Sequence, residues 1–180
     1  MIISRSIHIN APVERVFALM SDPLARAQLN PDAIPLRVEI EGDERLRLGS
    51  VCHFRMRLGA RIIDYRSRVR EFIPDRRIVS VTDTAVPFEI TLETQPEDGG
   101  TRLTQTEDFE PSDEMLVDAA PPAGVTGRLA RLIAWALPFL DTDTAQDERQ
   151  REERALRQKL EGNLDRWLAA IRRHLETAPG

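Results

Sequence analysis

The chain has 180 residues, 41% of them hydrophobic and 31% charged, enough for one substantial core, so the expectation is a single domain over residues 1–180. A net charge of -5 and a pI near 5.3, with arginines spread along the chain, argue against a nucleic-acid partner, which requires a concentrated basic surface. The one cysteine, Cys52, excludes an internal disulfide. The opening Met1-Ile2-Ile3-Ser4-Arg5 begins no secretory signal, so the expected compartment is the cytoplasm.

Residues 2 to 9 alternate as a strand, with Ile3, Arg5, Ile7 and Ile9 on one face. "NAPVERVFALMSD" stops it: Asn10 or Ala11 takes the cap, Pro12 enters the first turn, and Val13, Val16, Phe17 and Met20 recur at helical spacing. Pro23 ends that helix, and "PLARAQLNP" forms a second short one closed by Pro31. The period then changes to two. Leu36, Val38 and Ile40 form one row; Cys52, Phe54, Met56 and Leu58 the next; then Ile63, Tyr65, Ser67 and Val69, Val79 and Val81, and Phe88, Ile90 and Leu92. In "TRLTQTEDFE" one face carries Leu103, Gln105, Glu107 and Phe109. Gly42, Gly59, Pro74-Asp75 and Gly99-Gly100 separate the runs by short turns. The pattern is an antiparallel meander of about seven strands in one curved sheet.

After Glu110 the sheet pattern ends. "PSDEMLVDAAPPAGVTG" reads as loop with one helical turn, and "RLARLIAWALPFL" as an apolar helix ended by Pro138. That run contains Arg131 and falls short of the roughly 20 apolar residues of a membrane span. Lying between a Pro- and Gly-rich loop and Pro138, it is expected to form a mobile cover carrying Trp135, able to touch a membrane transiently but not to insert. A long helix from about Thr144 to His174 follows, with Thr144 and Asp147 at capping-box spacing and Arg172, Arg173 and His174 at its negative end. Its apolar stripe is Leu156, Leu160, Leu164, Trp167, Leu168, Ile171 and Leu175, and "DERQREER" is a solvated face.

Strand, helix pair, six-strand meander and long C-terminal helix, opened by "SIHINAPVERVFALMSDP", resemble the START-like or Bet v 1-like superfamily (SRPBCC), including bacterial polyketide cyclase/dehydrase and lipid-transport proteins. "FIPDRRIVSVT", "GGTRLTQT" and "LRQKLEGNLDRWLAAI" resemble its later segments. The departures are a long stretch at about 113–153 and the polar residues of the last strand. The resemblance implies an α+β helix-grip fold, a curved seven-stranded antiparallel sheet around the C-terminal helix with an apolar cavity between them. It implies no fixed catalytic residues, because members range from carriers to cyclases.

The sequence offers little overt chemistry. His8, His53 and His174 are far apart and in no ligand spacing, so no metal site is expected, and no hydrolase, NTPase or dinucleotide motif calls for a cofactor. Cys52 shares a face with Phe54 and Met56 and reads as a small buried hydrophobe. What remains is the inward row of the sheet. The last hairpin sets Glu107 and Gln105 beside Phe88, Ile90 and Leu92, and pairing Ile9 with Leu103 across the first strand would bring Arg5 opposite Glu107 as an ion pair. The expected ligand-binding residues are Phe54, Met56, Tyr65, Ser67, Phe88, Ile90, Gln105, Glu107, Trp135, Asn163 and Trp167. They suit an apolar small-molecule partner such as a lipid, polyketide or isoprenoid. One alternative is a cyclase/dehydratase with Glu107 or Tyr65 as general acid or base and Gln105 polarising a carbonyl; the other is a protein-interaction module. An Arg5–Glu107 pair would lower the Glu107 pKa and favour the binder. The sequence does not specify an oligomeric state.

Overall fold

The computed structural model describes residues 1–113, 115–116 and 142–177, without the side chains of 142–148. In chain order the elements are β1 (Ile2–Ile9), α1 (Val13–Met20), α2 (Pro23–Gln28), β2 (Ile34–Ile40), β3 (Val51–Leu58), β4 (Arg61–Ile73), β5 (Arg77–Thr82), β6 (Glu89–Glu97), β7 (Gly100–Asp108) and α3 (Thr142–Thr177). The strands form one seven-stranded antiparallel sheet in the order β1-β7-β6-β5-β4-β3-β2. With its long C-terminal helix, this is the α+β helix-grip architecture.

Local sequence explains most boundaries. Pro12 itself occupies the cap of α1, with no side-chain capping bond, so the start lies after Asn10 and Ala11. At α2 the Asp22 carboxylate accepts the Ala25 N–H at 3.0 Å and Pro23 takes the first turn, where its missing N–H costs nothing. Gly59 turns β3 into β4 at a positive φ of 57°, open to glycine without strain. Helix α3 begins at Thr142, so Thr144 lies inside it rather than at its cap.

Two compact units make up the chain: Met1–Glu110 with Glu161–Gly180, and Pro111–Leu160. Within the second, Ser112 starts a helical turn, its carbonyl accepting the Leu116 N–H at 3.1 Å. The expected cover over 127–140, including Trp135, lies outside the described residues. In the first unit, Ile9, Val16, Met20, Cys52, Phe54, Val69, Ile78, Leu92 and Leu103 form one core cluster with Leu168, Ile171 and Leu175 of α3. The inward face of the sheet is therefore the one carrying Ile9, Leu103, Leu92, Ile78 and Phe54.

Strand β1 pairs with β7 over its full length, from Ile2 opposite Asp108 to Ile9 opposite Thr101. This differs by two residues from the register expected above. Ile7 faces Leu103, Arg5 faces Gln105 and Ile3 faces Glu107, and the Arg5–Glu107 ion pair does not form. A two-residue slip keeps every side chain on its own face, so alternation alone does not distinguish the two registers. The observed one lets all eight residues of β1 pair and continues at both ends: the Met1 ammonium donates to the Phe109 carbonyl, and the Thr101 hydroxyl donates to the Ala11 carbonyl at 2.7 Å. Arg5 instead reaches α3, meeting Glu161 at 2.5 Å and Asp165 at 3.3 Å.

Candidate functional site

The inward face is apolar except for a band of polar groups that the sheet register assembles. Phe54 of β3 and Tyr65 of β4 are cross-strand partners, and their rings stack at 5.2 Å with 14° between planes. One step along, Ser67 sits between Cys52 and Thr82, buried, with no hydrogen-bond partner for its hydroxyl oxygen among the described residues. At the far side Ile90 and Ile3 flank Glu107, and Leu92 and Arg5 flank Gln105. Gln105 is 1% exposed. Its side-chain N–H donates to Glu107 Oε1 at 2.9 Å, while its own amide oxygen is buried and, among the described residues, unpartnered.

Glu107 is half-buried and meets no cation among the described residues. Burial raises its carboxyl pKa above the ordinary range, against a smaller lowering by the Gln105 hydrogen bond. Burial also raises the Tyr65 hydroxyl, which Arg26 opposes and Glu107 and Cys52 reinforce. The Cys52 thiol is likewise raised by burial. These groups therefore hold their protons to higher pH than in water. The Glu107 carboxyl and the Tyr65 hydroxyl can donate to a carbonyl, and the amide oxygen of Gln105 can accept a hydroxyl or N–H.

The other expected residues scatter. Met56 is buried in the core, and Phe88 precedes β6 and stacks on Phe109 at 4.2 Å. The Asn163 amide oxygen accepts from Arg166 Nη2 at 2.6 Å, and Arg166 also donates to Asp32 at 2.8 Å. Trp167 is half-buried against the core, its indole N–H donating to the Arg26 carbonyl at 3.1 Å. Arg26 is the residue that sequence reasoning missed. From the last turn of α2 its guanidinium lies 5.9 Å from the centre of the Phe54 ring, and Nη1 donates to the Met20 carbonyl at 3.2 Å. The sequence shows only a basic residue near a helix end.

A hollow of about 550 Å³ lies between the α1–α2 corner, β2 and the loop after it, its lining including the apolar Leu24, Val38, Ile40, Leu46 and Phe72 and the charged Asp22, Glu39, Asp43, Glu44 and Arg45. None of the expected ligand residues lines it. Among the described residues no group of three or more His, Cys, Asp or Glu could hold a metal ion, and no helix is long and apolar enough to cross a membrane.

The profile of the family described as polyketide cyclase / dehydrase and lipid transport matches residues 1–176. The chain belongs to this family. No curated protein matches it significantly. Solved structures with the same fold include a Thermus thermophilus protein, 16% identical with a TM-score of 0.57, covering 95% of this chain and 97% of its own. A Polyketide_cyc-like protein from Corynebacterium glutamicum is 22% identical with a TM-score of 0.55, over 97% and 91%. A protein from Arthrobacter aurescens is 12% identical with a TM-score of 0.61, over 99% and 88%. At these identities the likeness concerns the fold; the polar band must be read from this chain's own residues.

Proposed function

We propose that this polyketide cyclase/dehydrase-type domain binds an apolar small molecule of lipid, polyketide or isoprenoid character on the inward face of its sheet, under α3. One observation carries the reading: among the described residues the Gln105 amide oxygen is buried and unpartnered, within the polar band of a largely apolar face. Leaving such an acceptor unsatisfied costs about 1–3 kcal/mol. A ligand hydroxyl or a trapped water removes that cost, and the hydroxyls of Tyr65 and Ser67 on the same face extend the recognition. Native mass spectrometry of freshly purified protein tests it. A co-purifying lipid-like mass supports the binder; its absence, with no saturable binding of any apolar probe, favours a protein-interaction module.

The second reading is a cyclase/dehydratase, and the position of Arg5 favours it. With Arg5 held by Glu161 and Asp165, nothing opposes the burial that raises Glu107 except the Gln105 hydrogen bond. Glu107 then suits a general acid, giving its proton to a departing ligand hydroxyl that leaves as water, with a base taking up the adjacent C–H proton. Turnover of a β-hydroxy polyketide by the wild type, lost in Glu107→Gln while the same compound still binds, separates this reading from simple carriage.

A further inference from the structure

Arg26 is a cation with no anion paired to it among the described residues. Its guanidinium faces inward, over the Phe54 ring and near Tyr65 and Cys52, and among the described residues makes one hydrogen bond, to the Met20 carbonyl. No carboxylate pairs with it among the described residues. Asp22 acts on it only from a distance, and the Asp22 carboxylate caps α2 through the Ala25 N–H. Arg26 is half-buried, and a ring face and a carbonyl offset only part of the hydration its guanidinium gives up. A second, independent sign of an absent partner stands on the same face: the Ser67 hydroxyl oxygen, in a residue only 5% exposed, has none among the described residues. Ser67 lies two residues along β4 from Tyr65, which stacks on Phe54.

We propose that Arg26 anchors a carboxylate at one end of the apolar ligand, with the Phe54–Tyr65 pair beneath the adjoining hydrocarbon. This rests on the binding reading above and narrows it to apolar monocarboxylic acids. A guanidinium presents five N–H donors in a planar fork, and one bond to Met20 leaves most of them free for the two oxygens of a carboxylate. A single cation matches a single negative charge, whereas a dianionic phosphate would call for a second, and Arg5, also on this face, is already held by Glu161 and Asp165. Arg26 also holds Trp167 through its main chain. Occupation of the anchor should therefore be felt at α3.

Dodecanoate and dodecanol share a chain and differ in the head group. Calorimetric titration at pH 7 of wild type, Arg26→Met and Arg26→Lys with each probe isolates the anchor. The wild type should bind dodecanoate at least tenfold more tightly than dodecanol. Arg26→Met should lose about tenfold on dodecanoate and change less than twofold on dodecanol, with Arg26→Lys between. Equal dodecanoate affinity in wild type and Arg26→Met overturns the anchor while leaving the binding site in place. No saturable binding of either probe overturns the site and the anchor together. Should Arg26→Met fail to fold, the side-chain N–H resonances of the wild-type arginines decide. A dodecanoate-induced shift of the Arg26 signal, absent with dodecanol, supports the anchor, and an unmoved signal at saturation refutes it.

Discussion

Replacing Glu107 by Gln should reverse its effect on stability with pH. The substitution is nearly isosteric and keeps an acceptor for the Gln105 N–H, which reaches Glu107 Oε1 at 2.9 Å. Well below the ordinary carboxylate pKa the wild-type carboxyl is neutral in both states, and the exchange of acid for amide should change stability by less than about 1 kcal/mol. In the unfolded chain the carboxyl titrates near its ordinary value of about 4.3. In the folded chain burial raises that value. A raised folded-state pKa means that the native protein keeps a proton which the unfolded chain has released. The associated stability is fully present below the unfolded pKa and is lost as pH rises through the folded pKa, with a limiting slope of about 1.4 kcal/mol per pH unit. The Gln variant lacks this loss. Urea unfolding of both proteins at intervals from pH 4 to 8 should show the variant gaining on the wild type above about pH 4.3, then levelling once the native carboxyl ionises. A difference that stays constant, or that falls with pH, would refute the reasoning and indicate an ionised, cation-paired Glu107.

The β1–β7 register predicts that Arg5→Met and Glu161→Gln couple by about 0.5–1 kcal/mol in a double-mutant cycle, whereas Arg5→Met and Glu107→Gln add to within about 0.5 kcal/mol. The reverse pattern would restore the ion pair that the structure replaces. Tyr65 is the single tyrosine, so absorbance at high pH reads it alone, and its half-ionisation should lie above the ordinary value of about 10; a midpoint at or below that value contradicts the buried setting. An alanine Cβ at Gly100 would overlap the Ile9 carbonyl oxygen, so Gly100→Ala should destabilise by about 1–3 kcal/mol. At Gly162 of α3 the nearest contact is the end of the Arg166 side chain at 3.5 Å, so Gly162→Ala should stabilise by up to about 1 kcal/mol. Thermal melts of the two variants that move in the same direction would count against this packing.

The strands were legible because a half-buried strand writes a period of two, and Gly59 and Gly99-Gly100 end the runs where the chain turns. The pattern fails where the backbone departs from the ladder. A register shift between Pro35 and Arg37 leaves Leu36 47% exposed, outside the row it seemed to share with Val38 and Ile40. A second shift between Val69 and Glu71 moves the inward position to Phe72, so β4 runs to Ile73 although its alternation breaks after Val69. On β5 the inward residues are Ile78, Ser80 and Thr82 rather than the valines between them, because Ser80 pairs with Ile90 and Val69. Polar residues facing inward hide a strand's orientation from any hydrophobic count. Gln105 and Glu107 stood out for the converse reason, as polar groups in a row whose face was clear. Their partners did not, since cross-strand register depends on turn and end contacts such as Thr101 to Ala11. Arg26 was illegible because a six-residue helix has too few turns for periodicity to define its inner face.

The binding claim is tested most directly at Trp167, which lies between the core and the Arg26 carbonyl. In a Trp135→Phe chain it is the only tryptophan, and its emission reports on the inward face alone. Titration with a long-chain fatty acid and with a planar aromatic polyketide-like compound should produce a saturable shift with at least one of them, and Gln105→Leu should weaken the binding of a hydroxyl-bearing ligand. No saturable shift with either compound, together with no co-purifying small molecule, would contradict a ligand site on this face.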